Sequence, residues 1–405
     1  MGVPVVGVVG GGQLARMMVP AAVELGIEIR VLAEVEGSSA RLAATQVGDY
    51  RDVDTVMAFA KDVDVVTFDH EHVPQNVLRA MVDAGISVQP GPDALEFAQD
   101  KLRMRERLTE LGAPVPAWAA VSNAEELQRF IDEHRGVAIL KTPRGGYDGR
   151  GVRVVRSGEE GADWFQDFDR LLVEELVEFR RELAQLIARR PSGEIRVWPV
   201  AETVQRGGVC HEVIAPAPGA GSGANRFAEV ATGIAESIAE GLDVTGVLAV
   251  EMFETTDSRL LVNELAMRPH NSGHWTIDGS RTSQFEQHLR AVLDLPLGDP
   301  AALDAHSVMV NILGGPQEEA ITDRFAVAME HVPDAKLHTY GKSARPGRKV
   351  GHVTVTGDDL DEVMYRARTA AGFFDDPDTE TDTGTDTDTD TATETSTSTN
   401  TEETR

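Results

Sequence analysis

Apolar and polar positions along the first hundred residues follow two alternating periods. Apolar runs at Val3–Val9, Glu28–Ala33, Val63–Asp69 and Ile86–Gln89 predict strands. Stretches of period 3.6 between them predict helices, among them Gln13–Leu25, with Leu14, Met17, Met18, Ala21 and Leu25 on one face. Repeated strand–helix units imply an α/β domain with a doubly wound parallel sheet over residues 1–99. Pro114 and Pro116 break this rhythm. Beyond them the pattern is one of strand pairs and hairpins, α+β in class, with helices near Glu229–Glu240 and Ser283–Leu293. A loop is expected where Pro216 and Pro218 precede Gly219-Ala220-Gly221-Ser222-Gly223. A further boundary falls at Pro296–Pro300, and a small C-terminal segment, Ser307 to Phe374, ends in a helix at Asp358–Ala371. From Asp375 to Arg405 the chain is a Thr/Asp-rich tail with too few apolar residues to offset the entropy of ordering, so it is expected to be disordered.

Charge sharpens this picture. The 405 residues carry a net charge of −29, of which the tail's eleven acids and one arginine supply −10. So acidic a surface excludes nucleic acid as a main partner. Only six of the 38 basic residues are lysine, a balance suited to a cytoplasm of very high salt, that is, to a halophilic host. No run approaches the roughly 18 apolar residues of a membrane span, and no signal peptide is expected, so the reading is cytoplasmic with no membrane partner. The single Cys210 excludes a disulfide framework.

Five stretches carry candidate chemistry. Gly10-x-Gly12-x-x-Ala15, between a strand and a helix and with Glu34 about 20 residues on, matches a dinucleotide fingerprint and raises the question of NAD. ILKTPRGGYDGRGVRVV places Lys141 at a strand end before a glycine-rich turn, either a phosphate loop or a flexible hairpin. LLVEELVEFRREL offers backbone groups at Glu174–Val177 for an adenine ring and Glu182 for ribose hydroxyls, or is only an acidic strand end. GVLAVEMFETTDSRLLVNELAMRPHNSGHWT predicts a hairpin, Gly246–Phe253 with Arg259–Leu265. A four-residue loop would set Glu254 against Arg259 and Glu251 against Val262, leaving Glu251 and Glu264 diagonal neighbours on one face. Two carboxylates so close repel unless a hard cation lies between them, and Mg²⁺ bridging nucleotide phosphates accepts one or two carboxylates plus water. Arg268, His270, Asn271 and Ser272 follow at once. Finally, Lys342, Arg345, Arg348 and Lys349 reverse the acidic bias within eight residues and invite a phosphate.

Together, GGGQLARM, TFDHEHVP, QDKLRMRE, GGYDGRG, NELAMRPHNSGHWT and RPGRKVGH resemble the ATP-grasp ligases, specifically the branch that carboxylates 5-aminoimidazole ribonucleotide in purine biosynthesis. The resemblance covers about Val5 to Phe373. It departs from the common pattern at Ala15, Asp69, Lys101, Arg105 and Met267. It implies an N-terminal domain over 1–99, an ATP-grasp domain of two α+β subdomains over 100–296 with a lid about 116–178, and a C-terminal domain over 297–374. ATP would touch Lys101, Lys141, the loop Gly145, Gly146, Tyr147, Asp148, Gly149, Arg150, Gly151, then Glu174, Glu175, Leu176, Val177, Glu182, Gln205, Asn263 and Glu264. Glu251 and Glu264 would hold Mg²⁺, with Mn²⁺ as the alternative. Bicarbonate would be phosphorylated to carboxyphosphate and its carboxyl group passed to the aminoimidazole. That substrate would meet Tyr147, Asp148, Arg150, Asn271 and Ser272, with Arg268, His270 and Lys342 at the reacting centre and Asp148 or His270 as the base. Its phosphate would meet Arg348 and Lys349, and also the first helix at Gln13 and Leu14. The first motif would then be a decoy for NAD. The resemblance implies a homodimer with small-molecule substrates. Other readings are a formate-dependent glycinamide ribonucleotide transformylase, an NAD dehydrogenase and a non-catalytic nucleotide-binding regulator.

Overall fold

A computed structural model describes residues 2–145, 151–220, 227–315 and 320–375. Three sheets organise them. The N-terminal sheet contains β1 (Val5–Val9), β2 (Glu28–Ala33), β3 (Ala44–Val47) and β4 (Val65–Phe68), in the order β3-β2-β1-β4, with every pairing parallel. Its central strands are apolar on both faces, as a sheet covered on two sides requires. The Gln13–Leu25 helix forms over the span read from the sequence and ends at Gly26, whose φ of 66° provides a left-handed cap. Leu14, Met18 and Ala21 are buried as expected. Ala15 and Ala22 complete the buried face, and Met17 and Leu25 lie at its edge. Ile86–Gln89 is not a strand. It makes one parallel bridge, Val66 with Val88, and Pro90, which has no N–H, ends the ladder there.

The second sheet is antiparallel: β5 (Trp118–Val121), β6 (Ala138–Lys141), β7 (Val152–Val155) and β8 (Leu171–Glu175), in the order β5-β8-β6-β7. The third has nine strands: β9 (Phe179–Arg189), β10 (Ile195–Val197), β11 (Ala201–Arg206), β12 (Val209–Ala215), β13 (Gly246–Thr255), β14 (Leu260–Ala266), β15 (His306–Leu313), β16 (Lys336–Thr339) and β17 (Lys349–Gly357). Its order is β14-β13-β9-β11-β12-β15-β17-β16, with β10 beside β9. The last segment therefore has its own apolar core around Val308, Val353 and Phe374, yet its strands continue the same sheet through the β12–β15 pairing. The described residues thus combine a parallel α/β layer with α+β layers, the fold class read from the sequence.

One helix, Gln284–Val292, locks the parallel sheet to the large one. Its Phe285, Leu289 and Val292 pack with the Gln13–Leu25 helix and with Val6 and Val8 of β1. Its His288 is fully buried between the two sheets. The Val247 N–H of β13 donates to His288 Nδ1 (3.1 Å), so the ring proton sits on Nε2, which faces Thr67 Oγ1 of β4 at 2.7 Å. Burial pushes this imidazole down to about 3. Its folded pKa lies below the ordinary 6.5, so as pH falls from 6.5 toward 3 the unfolded chain takes up a proton that the folded one refuses. Across that window this residue costs about 1.4 kcal/mol of stability per pH unit. Thermal unfolding followed from pH 7 to 5 should therefore show a falling midpoint, and His288→Gln should shed about one proton's worth of that slope. An unchanged slope would mean that His288 is not held neutral.

Candidate active site

The β13–β14 hairpin departs from its expected register. Glu254 pairs with Leu260 rather than Arg259, Phe253 with Leu261 and Met252 with Val262. The register then slips by one at a bulge that absorbs Asn263, so that Glu251 stands directly opposite Glu264. Glu251 does not face Val262, and the acids are not diagonal. Without the bulge Glu251 would face Asn263, and Glu264 would turn to the other side of the sheet. Among the described residues no cluster of three His, Cys, Asp or Glu side chains forms a metal cage. Two adjacent carboxylates nevertheless suit Mg²⁺ whose other ligands are phosphate oxygens and water.

The bulge is braced from behind. Arg105, fully buried, donates to the Asn263 carbonyl (2.6 Å) and pairs with Glu174. Lys141 Nζ reaches Glu174 Oε2 at 2.6 Å and Asn263 Oδ1 at 3.2 Å. Burial pushes the Glu174 carboxyl up, but Arg105 and Lys141 outweigh it and hold it at about 2. The Glu174 side chain thus belongs to this network. Its backbone lies in the ladder between β5 and β6, and the Glu175 N–H donates to the Ala117 carbonyl at 2.9 Å. What the strand end offers an adenine ring is therefore concentrated at Leu176 and Val177. Lys101 Nζ stands 3.2 Å from the Gly145 carbonyl and 3.6 Å from Glu264 Oε1. Glu182 is pushed up to about 7, first by burial and then by the charge of Glu251, with Gln205 Nε2 donating to it at 3.4 Å.

After the hairpin the chain turns through Arg268 and His270. Arg268 Nε donates to Glu71 Oε2 (2.7 Å), and the Met267 N–H to Glu71 Oε1 (3.1 Å). Partial burial pushes the Glu71 carboxyl up, yet Arg268 outweighs it and holds the group below the usual range. The Ser272 N–H donates to His270 Nδ1 (3.3 Å), so the neutral ring carries its proton on Nε2, 3.1 Å from Glu251 Oε1. Burial raises the Glu251 carboxyl, but His270, with Lys349 and Arg268, brings it below its ordinary value. Asn271 and Asn311 exchange side-chain hydrogen bonds of 3.0 and 2.7 Å, tying this turn to β15. From the last segment Lys342 Nζ donates to Gln13 Oε1 (2.6 Å), and Arg348 donates to the Ser343 carbonyl (3.2 Å).

All described residues singled out from the sequence as site residues line one cleft of about 1720 Å³, except Gly151. Gly146, Tyr147, Asp148, Gly149 and Arg150 lie outside the described residues. The sequence reading missed Glu71 and Arg105 as parts of the site. Each stands in a polar, charged stretch, TFDHEHVP or QDKLRMRE, where nothing local marks one charge out from its neighbours, and its partner lies some 70 to 200 positions away. The dinucleotide fingerprint resolves differently. Glu34 Oε2 accepts the Gly11 N–H (3.0 Å), and Asp69 Oδ1 accepts the Ala15 N–H (2.7 Å). A Cβ on Gly12 would stand 1.9 Å from Asp69 Oδ2. Two carboxylates thus pack on the turn and repel a pyrophosphate, and Glu34 faces the turn rather than a ribose.

Comparison with known proteins agrees with this geometry. Three family models match in succession: a ribonucleotide synthetase preATP-grasp domain over 3–99, an ATP-grasp domain over 106–285 and a phosphoribosylaminoimidazole carboxylase C-terminal domain over 307–366. The N5-carboxyaminoimidazole ribonucleotide synthase of Mycobacterium tuberculosis is 49% identical over 376 residues, covering 91% of this chain and 87% of that protein. Among solved structures, an N5-carboxyaminoimidazole ribonucleotide synthetase in complex with ADP has a TM-score of 0.83 at 34% identity, covering 91% of this chain and 97% of the other. The Aspergillus clavatus enzyme with ADP and 5-aminoimidazole ribonucleotide has a TM-score of 0.81 at 32% identity, over 92% and 98% of the two chains. With this likeness running through all three segments, the chain belongs to the N5-carboxyaminoimidazole ribonucleotide synthase family, a group of ATP-grasp ligases.

Proposed function

We propose that this chain carboxylates 5-aminoimidazole ribonucleotide with bicarbonate at the expense of ATP. The observation that carries the reading is the direct pairing of Glu251 with Glu264 beside His270, in the same cleft as the basic loop Lys342 to Lys349. In the proposed sequence a bicarbonate oxygen attacks the γ-phosphorus of ATP and ADP leaves. The exocyclic amine of the nucleotide then bonds to the carboxyl carbon of carboxyphosphate, inorganic phosphate leaves, and the nitrogen loses a proton.

The residues suit these demands. Two anions must meet in the first step, and Arg268, held by Glu71, supplies fixed positive charge in a partly water-free site. Glu251 and Glu264 would hold Mg²⁺, whose chemistry is to neutralise the phosphates of ATP. Lys101, Lys141 and Asn263 would face the nucleotide phosphates, Leu176 and Val177 the adenine, and Glu182 with Gln205 the ribose. Arg348 and Lys349 would take the phosphate of the aminoimidazole ribonucleotide. At the first helix Asp69 already holds the Ala15 N–H, so the share of Gln13 there runs through its contact with Lys342. Both ring nitrogens of His270 are engaged, Nδ1 with Ser272 and Nε2 with Glu251, which favours Asp148 over His270 as acceptor of the amine proton. The Gly145–Gly151 loop is the natural cover for a hydrolysable anhydride. The net charge of −29 with few lysines supports work at high salt. A homodimer rests on the resemblance alone.

The deciding assay is ADP release from Mg·ATP and bicarbonate, with and without 5-aminoimidazole ribonucleotide, at high and low KCl. Turnover should require the nucleotide. A response to formate and glycinamide ribonucleotide instead would overturn the reading. Glu264→Gln should lower turnover about a hundredfold or more, the scale of losing a metal's charge stabilisation, with little change in thermal midpoint. Arg348→Met should raise KM for the aminoimidazole ribonucleotide about tenfold, one charge-assisted hydrogen bond's worth, and leave KM for ATP unchanged. Equal shifts in both constants would move Arg348 away from that phosphate.

A further inference from the structure

His270 is held by a residue that neither the sequence motifs nor the reaction scheme includes. Gln284, the first residue of the Gln284–Val292 helix, is fully buried. Its Oε1 accepts the His270 N–H at 2.8 Å, and its Nε2 donates to the His270 carbonyl at 2.8 Å. One carboxamide thus pairs with both main-chain groups of a single residue, as a neighbouring strand would. The pairing settles which end of the amide is oxygen, since only oxygen accepts an N–H. The other hydrogen on Nε2 points to His274 Nδ1 at 3.0 Å, which makes that nitrogen an acceptor and puts the His274 proton on Nε2. The Gln284 N–H donates to Thr276 Oγ1 (2.9 Å), and that hydroxyl donates to the Gly273 carbonyl (2.6 Å). The turn closes so tightly over the amide that a Cβ on Gly273 would stand 2.4 Å from Gln284 Oε1.

We infer that Gln284 is a positioning residue for the carboxyl-transfer step, fixing His270 against Glu251. The same helix carries His288, which spans Thr67 and Val247. Thr67 precedes Glu71 by four residues, and Val247 precedes Glu251 by four. One rigid helix therefore sets the relative positions of Glu71 with its Arg268, of Glu251 and of His270. Displacing a reacting group by about 1 Å can cost on the order of 10²-fold in rate. Loss of the amide should loosen His270 and leave the distant ATP contacts at Lys141 and Leu176 intact.

The inference rests on the reading that His270 lies at the reacting centre, and its test separates the two. ADP and the carbamate product are measured together for the wild type, Gln284→Met and Gln284→Glu, alongside thermal midpoints. In Gln284→Met, which keeps the volume and loses both bonds, kcat for the carbamate should fall about 10- to 100-fold. KM for ATP should stay within about twofold, and ADP formed per carbamate should rise several-fold as the anhydride escapes to water. Gln284→Glu keeps the acceptor for the His270 N–H and should fall between, and it gives the same readouts if the methionine variant does not fold. A folded variant with wild-type kcat and wild-type ratio would overturn the inference. So would a loss of kcat in which KM for ATP rises in step and the ratio stays unchanged. A wild type that makes no carbamate would instead overturn the functional reading beneath it.

Discussion

The site depends on one irregularity in one hairpin. Side chains alternate across a strand, so two acids thirteen residues apart share a face only if the pairing between them has the right parity. The bulge at Asn263 supplies that parity. It also leaves Asn263 with a carbonyl outside the ladder, and the structure satisfies it with Arg105. Everything that reaches the cleft from the β14 side takes its direction from this step: Glu264 at the strand, Arg268 and His270 just beyond it.

The brace under the bulge is ionic. A buried carboxylate with no partner would cost several kcal/mol, and Glu174 has two cationic partners, Arg105 and Lys141. Such a cluster contributes little net stability compared with apolar packing, but its geometry is demanding. Glu174 sits on an inner strand of the four-stranded sheet, and Asn263 on an edge strand of the nine-stranded one. The ion cluster therefore fixes one sheet against the other at the place where a nucleotide would lie between them.

Much of this was legible in the sequence, and the rest was hidden for identifiable reasons. The Gln13–Leu25 helix and β2 match their expected spans because their periods are uninterrupted and a glycine closes the helix. The hairpin was legible as a hairpin, but its register was not: a bulge changes no residue pattern, only the count of residues between two bonds. Ile86–Gln89 looked like a strand and does lie beside β4, but Pro90 halts the pairing after a single bridge, too little to make a strand. Glu34 looked like a ribose acceptor because spacing alone cannot tell a carboxylate facing solvent from one packed on the glycine turn after the neighbouring strand. Glu71, Arg105 and Gln284 escaped notice for a common reason. Each acts on a group at the cleft from an element remote in sequence, Gln284 on a backbone that any residue would present.

The continuity of the large sheet from β14 to β16 bears on how such chains can be divided. Sequence punctuation near Pro296 suggests a seam between modules, yet the β12–β15 pairing carries four residue pairs across it. Cutting there would expose two open sheet edges, each a template for association with another chain. Recombination between homologues would meet less resistance around the small sheet β5–β8, whose strands pair only among themselves. Exchanges of whole segments during divergence are thus expected to respect hydrogen-bond ladders before they respect prolines.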